Sequence, residues 1–166
     1  MQAKIISITA MLLFFNSTAY SQSTIITLTA DQLAEKLING NKPASVVQYW
    51  IPNCAAAESI VENFKHWEEQ YNDQIDCYFV GITNKDSLIL NLIKKVNYSY
   101  PLYIVDPIVD SNLNQRMQTF SMQLNKLLQR KPQSFITLYY NRKERTIQFD
   151  KKAMVIEKKL LKLLKG

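Results

Sequence analysis

The chain has 166 residues, 47% hydrophobic and 20% charged, with 20 Lys and Arg against 14 Asp and Glu and a formal net charge of +6. That length and composition suit one domain with a proper core, and the chain shows no internal repeat or low-complexity tract. Two cysteines, one histidine and three glycines exclude a disulfide scaffold, a metal site of ordinary ligand spacing and a phosphate-binding glycine loop.

The first segment, MQAKIISITAMLLFFNSTAYSQ, carries one positive residue, Lys4, then an apolar run from Ile5 to Phe15, then small and polar residues. This is the layout of a secretory signal peptide, too short to span a membrane comfortably; a retained anchor is the alternative. Residues 1–22 are therefore expected to be a signal and residues 23–166 a single exported domain. It would be periplasmic or secreted, with no stable membrane insertion once the signal is removed. Loss of Lys4 lowers the formal charge to about +5, a spread-out excess, and nucleic acid is a poor partner for an exported chain.

Thr29 caps a helix through ADQLAEKLING, in which Leu33, Leu37 and Ile38 share a face and Gly40 stops it. SVVQYW is a short β-branched strand. After Cys54, the apolar residues Ile60, Val61, Phe64 and Trp67 recur at helical spacing to about Tyr71. DCYFVGIT is apolar on both faces, as a buried parallel strand would be; DSLILNLIKKV is a helix and PLYIVD a strand. Leu113, Met117, Phe120, Leu124 and Leu127 mark a long amphipathic helix between Asn112 and Arg130, with Gln115, Arg116, Gln118, Asn125 and Gln129 expected on its polar faces. SFITLYYN and RTIQFD form a hairpin, where Phe135, Tyr139 and Tyr140 are expected to pack the sheet. In the C-terminal helix, Ile156, Leu160, Leu163 and Leu164 form one stripe, and the lysines form a solvated face. The alternation predicts a mixed sheet covered on both faces.

The stretches VVQYWIPNC, CYFVGITNKDS, SYPLYIVDP and KPQSFITLYYNRKERTIQF, in that order, resemble the thioredoxin-like superfamily. They are most similar to exported thiol-disulfide reductases and the neighbouring alkyl hydroperoxide reductase/thiol-specific antioxidant family. The resemblance covers nearly the whole chain after the signal. It implies an α/β three-layer fold with a mixed central sheet and an extra helix before a cis-proline hairpin. It also implies that Cys54 stands at the nucleophilic cysteine, Ala57 at the resolving cysteine and Pro132 at the cis-proline, with Pro101 as a rival. A surface of Trp50, Asn53, Lys131 and Pro132 would then bind substrate.

A sulfur just before a helix faces unpaired N–H groups and the positive end of the helix dipole, which favour thiolate over thiol. Cys54 is thus a candidate nucleophile, against the alternative of an inert small residue at a strand-helix junction. A dithiol reductase needs a second thiol three residues on, and that residue is Ala57. Cys77 enters its strand at the far end and is expected to be structural. His66 lies twelve residues along the helix, so no local Cys-His dyad forms. A peroxidase would need a threonine ahead of its cysteine, which Val47, Gln48 and Tyr49 do not supply. Of Tyr49 and Trp50, alternation sends one to the core, and Trp50 is assigned the exposed role. These residues leave two functions open: a monothiol oxidoreductase and a redox-inactive module binding partner polypeptides. Both would use polypeptide or low-molecular-weight thiol and disulfide partners and need no cofactor or metal, and a monomer is expected.

Overall fold

The computed structural model describes residues 24–165; the expected signal, residues 1–22, lies outside them. Six strands, β1 (Ile25–Leu28), β2 (Ala44–Trp50), β3 (Ile75–Gly81), β4 (Leu102–Val105), β5 (Thr137–Asn141) and β6 (Thr146–Asp150), form one sheet in the order β1-β4-β3-β2-β5-β6. The first four in that order are parallel, β5 runs antiparallel beside β2, and β6 returns antiparallel to β5 at the sheet edge. β1 has no counterpart in the sequence reading, although Ile25, Ile26 and Thr27 are β-branched. Its four residues fall between the expected cleavage region and the Thr29 cap.

Five helices cover the two faces. α2 (Ala57–Tyr71), α3 (Asp86–Val96) and α5 (Glu157–Lys165) pack on one side through Phe64, Trp67, Ile89 and Leu160. α1 (Ala30–Asn39) and α4 (Leu113–Leu127) pack on the other through Leu33, Leu37, Phe120 and Leu124. The expected three-layer α/β architecture is therefore present, including the additional helix, α4. Alternation along β2 sends Val46 and Trp50 into the first core and Val47 and Tyr49 into the second. Because helices cover both faces, every residue of β2 is buried.

Thr29 opens α1 with a reciprocal cap: its hydroxyl accepts from the Gln32 N–H at 3.4 Å, and Gln32 Oε1 accepts from the Thr29 N–H at 2.9 Å. Leu33 and Leu37 are buried, but Ile38 is 47% exposed and falls off the stripe. Gly40 ends α1 at φ −64°, outside the left-handed region. Its small size serves a close approach instead, since a Cβ there would collide with the Arg142 guanidinium and lie 2.7 Å from Asp76 Oδ2. Arg142 uses the space to donate to Leu37 O at 2.9 Å and Ser45 Oγ at 2.7 Å, which ties the end of α1 to the sheet.

The buried face of α4 differs from the expected one. Phe120 and Leu124 are at its centre, but Leu113 and Leu127 are exposed, while Arg116, Ser121 and Asn125 are buried. The stripe is rotated because the helix carries polar groups with fixed partners inside: Asn125 Nδ2 donates to Ser121 O at 2.8 Å and to Gln133 O at 2.9 Å. Arg116 and Asn125, assigned to the polar faces from sequence, are thus corrected to the interior.

At the sheet edge where β3 begins, Glu68 of α2 is 5% exposed and its carboxyl is pushed up to about 7. Burial is the main cause, with Lys42 opposing it and Asp76 adding to it. The folded protein therefore holds this proton between about pH 4.5 and 7, where the unfolded chain releases it. Stability should fall as pH rises through that window, by up to a few kcal/mol, and level off above it. Denaturant unfolding of Glu68→Gln across pH 4 to 8 should lose that slope. An unchanged slope would show that Glu68 is not its source.

Candidate functional site

The chain leaves β2 at Trp50 and makes a short turn before α2. Cys54 N–H donates to Ile51 O at 3.3 Å, and Ala57 N–H donates to Cys54 O at 3.0 Å. Pro52 is buried, whereas Asn53, Cys54, Ala55 and Ala56 are exposed. α2 begins at Ala57, so Cys54 sits one turn before the helix rather than in its first turn. The N-cap is Ala56, whose methyl accepts nothing, and the start of α2 has no side-chain cap. The acid in that first turn, Glu58, is ion-paired with Lys95. An exposed sulfur therefore lies beside the positive end of an uncapped 15-residue helix.

Support for this turn comes from below. Trp50 is 4% exposed and packs edge-on against Phe64, with centroids 5.5 Å apart and planes at 81°; Phe64 in turn stacks on Phe79 at 3.8 Å. Gly81 packs at this point of β3: a Cβ there would approach Ile89 Cδ1 at 3.3 Å and make ordinary contact with Trp50 Nε1 and Pro52 Cγ, both at 3.5 Å. The exposed role assigned to Trp50 is corrected: it is a core residue beneath the turn. Tyr49 is buried in the opposite core against Phe120 and Phe135, because the sheet has no open face here.

Ala57 is 4% exposed and points into the first core. Cys77 pairs in register with Val46, four residues before Trp50, which puts it about 13 Å back along the strands. That separation excludes a bridge to Cys54, and both cysteines are free. Burial first, then the carboxyl of Glu68, pushes the Cys77 thiol well above its ordinary range, so it remains protonated and inert. His66 is exposed and its ring lies against Trp67 at 5.1 Å. No group of metal-ligating side chains occurs among the described residues.

Lys131 and Pro132 are exposed in the loop between α4 and β5. That loop reaches the same sheet edge as Cys54, since Tyr49 N–H donates to Ile136 O at 2.9 Å. Their peptide is trans, as is that of Tyr100 and Pro101, because no cis peptide occurs among the described residues. The expected cis-proline is therefore corrected. The seven residues between Leu127 and Phe135 turn the chain without it, held by Asn125 on Gln133 O and by Arg130 N–H on Asn125 O at 2.8 Å. Pro132 instead walls a cleft of about 430 Å³ with Met117, Gln118, Ser121, Met122 and Phe135; Cys54 does not line it. Of the expected substrate surface, Asn53 alone stands exposed beside the sulfur in sequence.

Arg116 is the residue that sequence reasoning missed. A signal was present, since Arg116, Phe120 and Leu124 recur every four residues and must share a face.

No protein-family model and no curated protein matches the chain. Among solved structures it is similar to a thioredoxin-related protein from Neisseria meningitidis serogroup B, with 19% identity over 75% of this chain and 84% of that one at a TM-score of 0.51. It is also similar to a secreted Mycobacterium tuberculosis disulfide oxidoreductase (11% identity, 74% and 81% covered, TM-score 0.47) and to StoA from Bacillus subtilis (12%, 75% and 85%, TM-score 0.44). The architecture is a thioredoxin-like fold.

Proposed function

We propose that this protein takes part in thiol-disulfide exchange as a monothiol, with Cys54 as nucleophile and an external thiol as resolver. The observation that supports this reading is the exposed sulfur between the end of β2 and the uncapped start of α2, with alanine at the third position after it. The Cys54 thiolate attacks one sulfur of a substrate disulfide, forming a mixed disulfide and expelling the other sulfur as a thiolate. A second, external thiolate then attacks that mixed disulfide and returns Cys54 as thiolate. The two electrons come from external thiols, so no cofactor is needed. The substrates are polypeptide or low-molecular-weight disulfides met by an exported monomer in the periplasm or outside the cell. Nucleic acid has no part in it. Among the described residues no helix is long and apolar enough to cross a membrane.

Incubation of the folded protein with oxidised glutathione, followed by intact-mass measurement, should add one glutathione at Cys54. The adduct should persist until an external thiol is supplied, and Cys54→Ser should remove it. A folded protein that accepts neither glutathione nor an alkylating agent overturns the monothiol reading.

A second reading, a redox-inactive module that binds partner polypeptides, is favoured by the cleft beside Pro132, where Met122 is 53% exposed. Under it, Met122→Glu lowers partner capture while Cys54→Ser leaves it intact. The monothiol reading expects the reverse for covalent capture.

A further inference from the structure

Arg116 is 1% exposed and is the largest fully buried side chain among the described residues. Its Nε donates to Asp110 O at 2.8 Å, and its Nη1 donates to Asn84 Oδ1 at 2.6 Å and Thr83 O at 3.4 Å. All three acceptors are neutral. No carboxylate among the described residues forms an ion pair with it. The Asp110 carboxylate is turned away, accepting from the Asn112 N–H at 2.8 Å and the Thr119 hydroxyl at 3.1 Å. A buried cation with no counter-charge is costly, and neutral acceptors only partly offset that.

The remaining nitrogen, Nη2, has no protein acceptor and is not among the polar atoms sealed in the interior. Arg116 lines a cleft of about 540 Å³ with Thr83, Asn84, Asp86, Ile104 and Ser111. Thr83 and Asn84 follow β3, and Ile104 lies near the end of β4, so the cleft opens beyond the carboxyl ends of parallel strands. That edge is where open α/β sheets place ligands.

We propose that this cleft binds a small carboxylate, with Arg116 as its counter-charge and the Thr83 and Ser111 hydroxyls as further donors. The Nη2 hydrogens are the donors left free, and a carboxylate oxygen would accept from them in a charge-assisted bond. Asp86 lines the same cleft without pairing to Arg116, which disfavours a phosphate dianion and suits a ligand with one negative charge. Ile104 gives a short carbon chain an apolar wall. This site is independent of Cys54 chemistry.

NMR titration of the full chain at constant ionic strength tests the proposal, with acetate, acetyl-triglycine, acetyl-triglycine amide and inorganic phosphate as probes. Acetate or acetyl-triglycine should saturate shifts at the Arg116 Nε–H and the Thr83 and Ser111 amides; which of the two binds tells a free acid from a peptide terminus. Arg116→Met should weaken binding at least about tenfold, the loss of one charge-assisted contact. Should that variant fail to fold, Ser111→Ala and Thr83→Val should each weaken binding severalfold with the fold retained. Four results overturn the proposal: no saturation by about 10 mM, equal binding of the amide, phosphate binding where carboxylates do not, or unchanged binding in folded variants.

Discussion

Ala57→Cys should convert a poor disulfide reductant into a competent one. In the wild-type protein, a mixed disulfide at Cys54 waits for an external thiol, so insulin reduction should be slow at low dithiol concentration. The hydrogen bond from Ala57 N–H to Cys54 O closes an i to i+3 turn, which holds the two Cα atoms within about 7 Å. Disulfides need a Cα separation of about 4.4–6.8 Å, so a thiol placed at residue 57 lies in range. An internal thiol replaces a bimolecular step with a unimolecular one, and even modest alignment should raise the rate on the order of tenfold or more. Because Ala57 is buried, the added sulfur enters the core and should cost about 1 kcal/mol or more of stability. Ala55→Cys and Ala56→Cys, at exposed positions that the turn does not fold back toward the sulfur, serve as controls and should gain much less. Brisk wild-type turnover that survives Cys54→Ser would place the chemistry elsewhere.

How much of this site could be read from sequence depends on which force fixed each residue. The place of Cys54 between a strand and a helix was legible because a strand signal and a helical period meet around it, both of them local. The exposure of Trp50 was not legible. Alternation assigns faces to a strand but does not say whether helices cover both, and here α2 and α4 do. Arg116 and Asn125 were misread for a related reason: residue type favours the surface, and only tertiary partners such as Asp110 O and Gln133 O make burial tolerable. The cis form at Pro132 was carried over with the resemblance, and a loop long enough to turn in trans leaves it unnecessary. β1 was lost between two stronger signals, a hydrophobic leader and a helix cap.

The reassignment of Trp50 makes a prediction of similar size. As a substrate contact, Trp50→Ala would lower partner capture and leave stability nearly unchanged. As a core residue packed on Phe64, its truncation should cost about 3–5 kcal/mol. For a domain of this size that lowers Tm by roughly 10 °C or more. Cys77 supplies an internal reporter, since it is buried in the same core as Trp50 and should resist alkylation in the native protein. Trp50→Ala should make it labelled under native conditions, because opening of that core becomes frequent, whereas Trp50→Phe, which keeps a ring against Phe64, should protect it. A Trp50→Ala protein with wild-type Tm and a still-protected Cys77 would return the tryptophan to the surface role.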